Sequence, residues 1–239
     1  MDAFVSEELY VHSKILIADD RLAIIGSANI NDRSQLGSHD SEIAVVIEDP
    51  SPVDSSMDGM PYTASRFAAS LRRFIFRKHL GLTPHQRVDA PDANWTSVEG
   101  GVNEYDWGSR ADRLVADPLS GNFRRLWDET ARMNTEVFDR AFHCVPSDKV
   151  RTWEVYDEFF SRHFVDPLAE KKEGEEDKDK VPYGHVVRSE FPGGAAELKE
   201  WLGRVRGTLV EMPLGFLGDV EDIAEEGVGL NGLTMELYT

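Results

Sequence analysis

At 239 residues, with 41% hydrophobic content including five Trp and twelve Phe, the chain can fill one large core or two small ones. Its formal net charge of -18 works against broad attraction to nucleic acid or to an anionic membrane surface, because both rest on basic side chains neutralising phosphates. No stretch approaches the roughly 18 consecutive apolar residues of a membrane span and the first residues hold Asp2, Glu7 and Glu8 rather than a signal peptide's basic and apolar regions, so the chain reads as soluble and cytoplasmic; the single cysteine, Cys144, has no internal partner and reads as a buried small side chain.

Two strand-like stretches open the chain, Leu9 to Ala18 and Leu22 to Gly26, separated by Asp19-Asp20-Arg21, which is a hairpin signal. The hairpin carries His12, Lys14 and Asp19 on one side and Gly26-Ser27-Ala28-Asn29 on the other, bringing a histidine, a lysine and an asparagine within reach of one phosphate. That grouping points to phosphodiester chemistry. His12 and Lys14 are two residues apart and share a strand face. A two-residue turn at Asp20-Arg21 sets Asp19 opposite Leu22, Lys14 opposite Ser27 and His12 opposite Asn29. A three-residue turn shifts every partner by one and carries Ser27 and Asn29 to the opposite face; no Asn-Gly or Asp-Gly is present at this turn to choose between them.

A third strand is predicted over Ser41 to Glu48, where Ile43 to Ile47 form a continuous apolar run of the kind buried on both sheet faces. Residues 50–62, rich in Pro, Ser, Asp and Gly, read as a surface loop. Thr63 can cap a helix running to Leu80, with Gly81 as its stop signal. That helix carries Arg66, Arg72, Arg73, Arg77 and Lys78 and no acidic residue, which suggests either a solvated face or, through Arg72, Arg73, Arg77 and Lys78, a phosphoinositide contact.

Residues 82–117 show no period and read as an irregular connection with packed aromatics at Trp95, Tyr105 and Trp107. Helical spacing returns between Pro118 and His143, and Ser147 opens a further helix with Val150, Trp153, Tyr156 and Phe160. Residues 170–180 are charged at every position but Gly174 and predict a mobile solvated loop. A short helix near Ala195 to Leu202, an apolar strand over Gly207 to Leu217 and an apolar end complete the chain. The expected class is α/β, a mixed sheet flanked by helices, with a catalytic core over 1–81 and a helical and irregular extension over 82–239.

The spacing of His12, Lys14 and Asp19, followed by Gly26-Ser27-Ala28-Asn29, resembles the HxKxxxxD and GSxN signature of the phospholipase D superfamily. Tyr10 to Lys14, Ile30 to Ser34, Asp40 to Ala44, Pro118-Leu119-Ser120 and the terminal Leu-Tyr-Thr are similar to the second catalytic half of eukaryotic, especially fungal, phospholipase D. Sites in that superfamily are built from two facing motifs, and one copy is present in this sequence. The resemblance therefore implies half of a phospholipase D core, completed by a first-motif half or by a second copy of the chain.

It further implies hydrolysis or transphosphatidylation of phosphatidylcholine-type lipids to phosphatidic acid or a phosphatidyl alcohol, through a phosphohistidine formed on the first motif, at a peripheral membrane surface. His12 would then be the general acid and base, roles that histidine as a residue type suits because free imidazole exchanges its proton near neutrality. Lys14, Ser27 and Asn29 would bind the phosphate, Asp19 would act in catalysis or fix the turn, and Glu42 would orient His12. This chemistry needs no metal or other cofactor, and no clustered ligand set stands out in the sequence. The other readings are a dimeric nuclease-like phosphodiesterase, disfavoured by the acidic charge, and a noncatalytic fragment. The remaining histidines, His39 among them, show no motif spacing.

Overall fold

The computed structural model describes residues 1, 4–7, 10–83, 107–165 and 180–221. The loop expected at 170–180, most of the connection after Leu82 including Trp95 and Tyr105, and the chain end therefore lie outside the described residues, apart from Lys180 and Trp107. The chain divides into two compact units, one comprising Val11–Ala131 with Arg206–Leu209 and the other Met1–Tyr10, Arg132–Val205 and Val210–Thr239. The architecture is mixed α/β, small antiparallel sheets with helices around them, as the sequence reading expects.

In the first unit, β1 (Lys14–Ala18) and β2 (Leu22–Gly26) form the hairpin, and β3 (Ala44–Glu48) adds antiparallel to β2. β-branched Ile and Val residues in all three strands favour the extended chain. Lys14 pairs with Gly26 and Ala18 with Leu22, which is the three-residue turn. The pairings Lys14–Ser27 and Asp19–Leu22 expected from a two-residue turn are thereby corrected. Arg21 N donates to Ala18 O at 2.9 Å, and Asp19 and Asp20 both take left-handed backbone conformations at φ 50° and 52°, which aspartate tolerates better than most side chains.

Gly26 is demanded by the sheet, since a Cβ there would sit 2.7 Å from Ile43 O and 2.8 Å from Ala44 Cβ. β3 corrects the expectation of a strand buried on both faces: Val45 and Val46 point to opposite faces of the sheet and both are more than half exposed. The short helix α1 (Asp32–Gln35) links β2 to β3 and starts at Asn31, whose Oδ1 accepts from Ser34 N at 3.0 Å.

Residues 50–62 are not a loop. β4 (Pro52–Met57) and β5 (Met60–Ser65) make a second hairpin around Asp58-Gly59, both at positive φ as a tight two-residue turn requires. β5 takes Thr63 from the predicted helix, so α2 (Arg66–His79) starts later and ends, as predicted, just before Gly81 at φ 65°.

The arginines of α2 are a further correction. Arg72, Arg73 and Arg77 are buried, and neither the solvated face nor the phosphoinositide contact applies to them. Arg72 forks onto Asp20, Nε to Oδ1 at 2.6 Å and Nη2 to Oδ2 at 2.8 Å, and its nitrogens also donate to Val115 O at 2.7 Å and Ala116 O at 3.0 Å. Arg73 bonds Asp112 at 3.0 Å and Ser55 at 2.9 Å and lies 3.6 Å from the Trp107 ring centre, while Arg77 approaches Asp112 at 3.8 Å. Lys78 alone of the four is exposed.

Asp112 belongs to α3 (Arg110–Val115), a helix within the stretch read as irregular. Leu80, Val115 and Phe123 form this unit's apolar core with Phe76, Trp127 and Leu209 against them. Leu209 reaches it because the predicted strand over Gly207 to Leu217 is instead a series of turns, begun where Thr208 N donates to His79 O at 3.0 Å.

Helix α4 (Gly121–Phe142) gives its first half to this unit and its second to the other. The second unit adds α5 (Trp153–His163), a single 3₁₀ turn at Arg188–Glu190, and α6 (Gly194–Leu202), the last close to its predicted stretch; α5 starts later than the expected opening at Ser147, because Thr152 caps it by accepting from Val155 N, and Val150 lies before it. Its core joins Ala141, Phe142, Val186, Phe191 and Leu198, with Arg140 held between the Phe191 and Trp201 rings at 4.7 and 4.6 Å. No helix among the described residues is long and apolar enough to cross a membrane.

Candidate active site

His12 lies on the extended segment leading into β1 and is exposed, and Lys14 is the strand's half-buried first residue. The Lys14 ammonium donates to His12 O at 2.7 Å, which folds it back along its own strand. β2 stops pairing with β1 at Gly26, so the side chain of Ser27 is not bound by the strand's alternation. Its backbone N donates to Ile43 O at 3.0 Å while its Oγ accepts from Ile43 N at 3.1 Å and donates to the Glu42 carboxylate.

Glu42 is thereby held at the end of the sheet. Its carboxyl lies below the ordinary glutamate range, first because the Ser27 hydroxyl donates to it, then because Ser34 does, with a weaker pull from the Lys14 ammonium against the opposing effects of desolvation and Asp40. Lys14, Ser27, Ser34 and Glu42 thus share one polar neighbourhood, although strict strand alternation in the observed register would separate Lys14 from Ser27. Asn29 is fixed through its main chain, its N donating to Ser34 Oγ at 3.1 Å and its O accepting from Gln35 Nε2 at 2.9 Å. Arg33 and Asp40 close the connection at 2.7 Å.

Asp19 sits exposed in the turn, where its carbonyl accepts from Tyr62 Oη at 2.6 Å. The acid that is buried is its neighbour Asp20, which the motif spacing did not single out. Ser34 lies in a stretch that resembles the family but carries no role by spacing alone, and its tie to Glu42 depends on α1 turning the chain back. Among the described residues, no group of three or more His, Cys, Asp or Glu side chains is placed to hold a metal ion.

The Ser27–Glu42 bond gives a direct test. Removing the hydroxyl in Ser27→Ala should move the Glu42 titration, followed by carboxyl carbon NMR, up toward the ordinary value. A depressed carboxyl stabilises the fold above its unfolded pKa and loses that contribution as pH falls through the folded value, so the variant should lose less stability on acidification than the parent. An unmoved Glu42 titration would show that Ser27 does not set it.

Comparison with known proteins agrees with the geometry. The family model described as Phospholipase D matches residues 5–98. The chain is 35% identical over 235 residues to Phospholipase D2 of Bos taurus, 98% of this chain and 20% of that protein, and 35% identical over 219 residues to Phospholipase D zeta 2 of Arabidopsis thaliana, 91% and 18% respectively. A Phospholipase D of Phytophthora infestans is 42% identical over 148 residues, 62% of this chain and 7% of its own length. The chain thus spans about a fifth or less of the curated relatives it matches. With the motif on the hairpin, the Ser27–Glu42 tie behind it and similarity along nearly its whole length, the chain belongs to the eukaryotic phospholipase D family.

Proposed function

We propose that this chain provides the second-motif half of a phospholipase D that hydrolyses or transphosphatidylates phosphatidylcholine-type lipids. The observation that carries this reading is the shared neighbourhood of Lys14, Ser27 and Glu42 at the end of the hairpin bearing the motif histidine. A histidine of a first-motif half attacks phosphorus, and the phosphorus–oxygen bond to the headgroup breaks as the His12 imidazolium gives its proton to the leaving oxygen. Neutral His12 then takes a proton from water or an alcohol, whose oxygen displaces the phosphohistidine nitrogen and releases phosphatidic acid or a phosphatidyl alcohol.

Lys14, with Ser27 and Asn29 as hydrogen-bond donors, stabilises the charge that grows on the nonbridging oxygens. To do so the Lys14 ammonium leaves the His12 carbonyl for the phosphate, and the Ser27 hydroxyl, whose one proton goes to Glu42 in the structure, turns to it as well. Glu42 orients the His12 ring, and Asp19 serves the turn. The partner is a first-motif half or a second copy of the chain. That reading also gives an occupant for the apolar side chains of Ile15, Leu16, Ile43, Val45 and Val46, exposed on strands β1 and β3 and just before β3. The enzyme works in the cytoplasm at a lipid surface that it meets peripherally.

The test is phosphatidylbutanol formation from phosphatidylcholine vesicles and 1-butanol, with the chain co-expressed alongside the first-motif half of a eukaryotic phospholipase D. Product from the parent assembly and a fall of roughly 100-fold or more for Lys14→Met are expected. A Lys14→Met assembly as active as the parent would overturn the reading.

A further inference from the structure

We propose that the buried Asp20–Arg72 pair is a register lock for the β1–β2 hairpin, making Asp20 and Arg72 positioning residues for the site; the catalytic consequence rests on the function proposed above.

Two registers are open to this hairpin, and neither the apolar pattern nor the turn chemistry chooses between them. β1 is apolar on both faces, Ile15 and Ile17 on one and Leu16 and Ala18 on the other, and Ile15 and Leu16 are each about half exposed. A slip by one residue exchanges one apolar set for another, so the burial that ordinarily fixes a register has little hold here. The turn offers no preference for the observed form either. Its three residues contain no glycine, and two of them occupy the left-handed region that L side chains adopt with reluctance.

What holds the turn comes from elsewhere in the unit. Asp20 is 1% exposed, and its carboxylate is gripped by both arms of Arg72, whose position is fixed in turn by the carbonyls of Val115 and Ala116. Asp20 O accepts from Ser65 N at 2.8 Å, Asp19 O accepts from Tyr62 Oη, and Arg21 lies over the Tyr62 ring at 5.2 Å. In the other register Asp19 pairs with Leu22 and Asp20 becomes the first residue of a two-residue turn. The carboxylate then leaves the guanidinium, and a buried cation stays behind without its anion. That cost is what excludes the slipped hairpin.

The slip would carry Lys14 from opposite Gly26 to opposite Ser27 and reverse the side of the strand it faces relative to β2, breaking up its grouping with Glu42. The lock therefore sets the orientation of the phosphate-binding lysine from a distance, through the backbone.

The experiment compares three full-length chains. Arg21→Gly creates an Asp-Gly sequence that favours the two-residue turn while leaving the lock intact. Asp20→Asn with Arg21→Gly and Arg72→Met offers an Asn-Gly turn and removes both charges, so that no ion is left unpaired. The register is read from cross-strand NMR contacts: Leu16 with Ile24 in the parent, Leu16 with Ile25 after a slip. The parent and Arg21→Gly should keep the first pairing and the triple variant should show the second, with phosphatidylbutanol formation by the co-expressed assembly falling at least about 100-fold only in the triple variant. A slip in Arg21→Gly alone, an unslipped triple variant, or a triple variant that does not fold would each overturn the lock. A slipped triple variant with full activity would leave the lock standing and refute the role given to Lys14.

Discussion

Replacing Asp112 by alanine is expected to lower the stability of the folded chain by about 3–5 kcal/mol, the range for stripping one partner from a buried ion pair. Asp112 is 2% exposed and is the anion for two arginines whose side chains are equally enclosed, Arg73 at 3.0 Å and Arg77 at 3.8 Å. Burial pulls the Arg73 guanidinium below its ordinary pKa, and Asp112 is the largest influence in the opposite direction. The same carboxylate accepts from Gly108 N at 2.9 Å, so its loss also leaves a backbone donor unsatisfied.

Asp112→Asn separates these contributions in part, because the amide keeps one accepting oxygen for Gly108 N or Arg73 while it gives up the charge and the second acceptor. Its expected cost is smaller, about 1–3 kcal/mol. Urea unfolding followed by circular dichroism decides the matter: the midpoint should fall in the order parent, Asp112→Asn, Asp112→Ala with the slope unchanged. Equal midpoints for parent and Asp112→Ala would mean that water reaches the two guanidinium groups and that they need no anion.

This arginine cluster also marks where sequence reasoning stops. On a helix read in isolation, Arg66, Arg72, Arg73, Arg77 and Lys78 form a basic run in an acidic chain, and solvent or an anionic ligand is the natural destination for it. Arg72 instead pairs with Asp20, 52 residues earlier, and Arg73 and Arg77 with Asp112, 39 residues after Arg73, and nothing local announces those pairings. The exposed β3 has a related cause. An unbroken run from Ile43 to Ile47 reports that the strand is apolar on both faces, not what lies against them.

Other features were legible where the signal is local. The hairpin existed wherever its two apolar stretches met Asp19-Asp20-Arg21, and helices α2, α4, α5 and α6 follow their 3.6-residue spacing. The second hairpin was missed despite an Asp-Gly pair at 58–59, because its flanking residues are Pro, Ser and Asp rather than the usual β-formers. At the site, the spacing of His12, Lys14 and Asp19 is enough to carry the resemblance to the family. The tie of Ser27 and Ser34 to Glu42 needs α1 and β3 in place and could not be read from spacing alone.

Replacing His12 by alanine in the co-expressed assembly is expected to lower phosphatidylcholine turnover by about 10²–10⁴-fold, the range for one general acid and base. That loss alone does not distinguish proton transfer from attack on phosphorus. A phosphatidyl ester of p-nitrophenol does, because its leaving oxygen departs as a stable anion and asks nothing of an acid. The first step should then proceed in the His12→Ala assembly, releasing about one nitrophenolate per site, while the second step, deprived of its base, stalls at the phosphohistidine. Stopped-flow absorbance should show a stoichiometric burst and a slow steady state in the variant, where the parent turns over continuously. Absence of any burst would assign the attack on phosphorus to His12 itself and reverse the roles of the two motifs. A burst of the expected size would fix His12 as the group that gives and takes the proton.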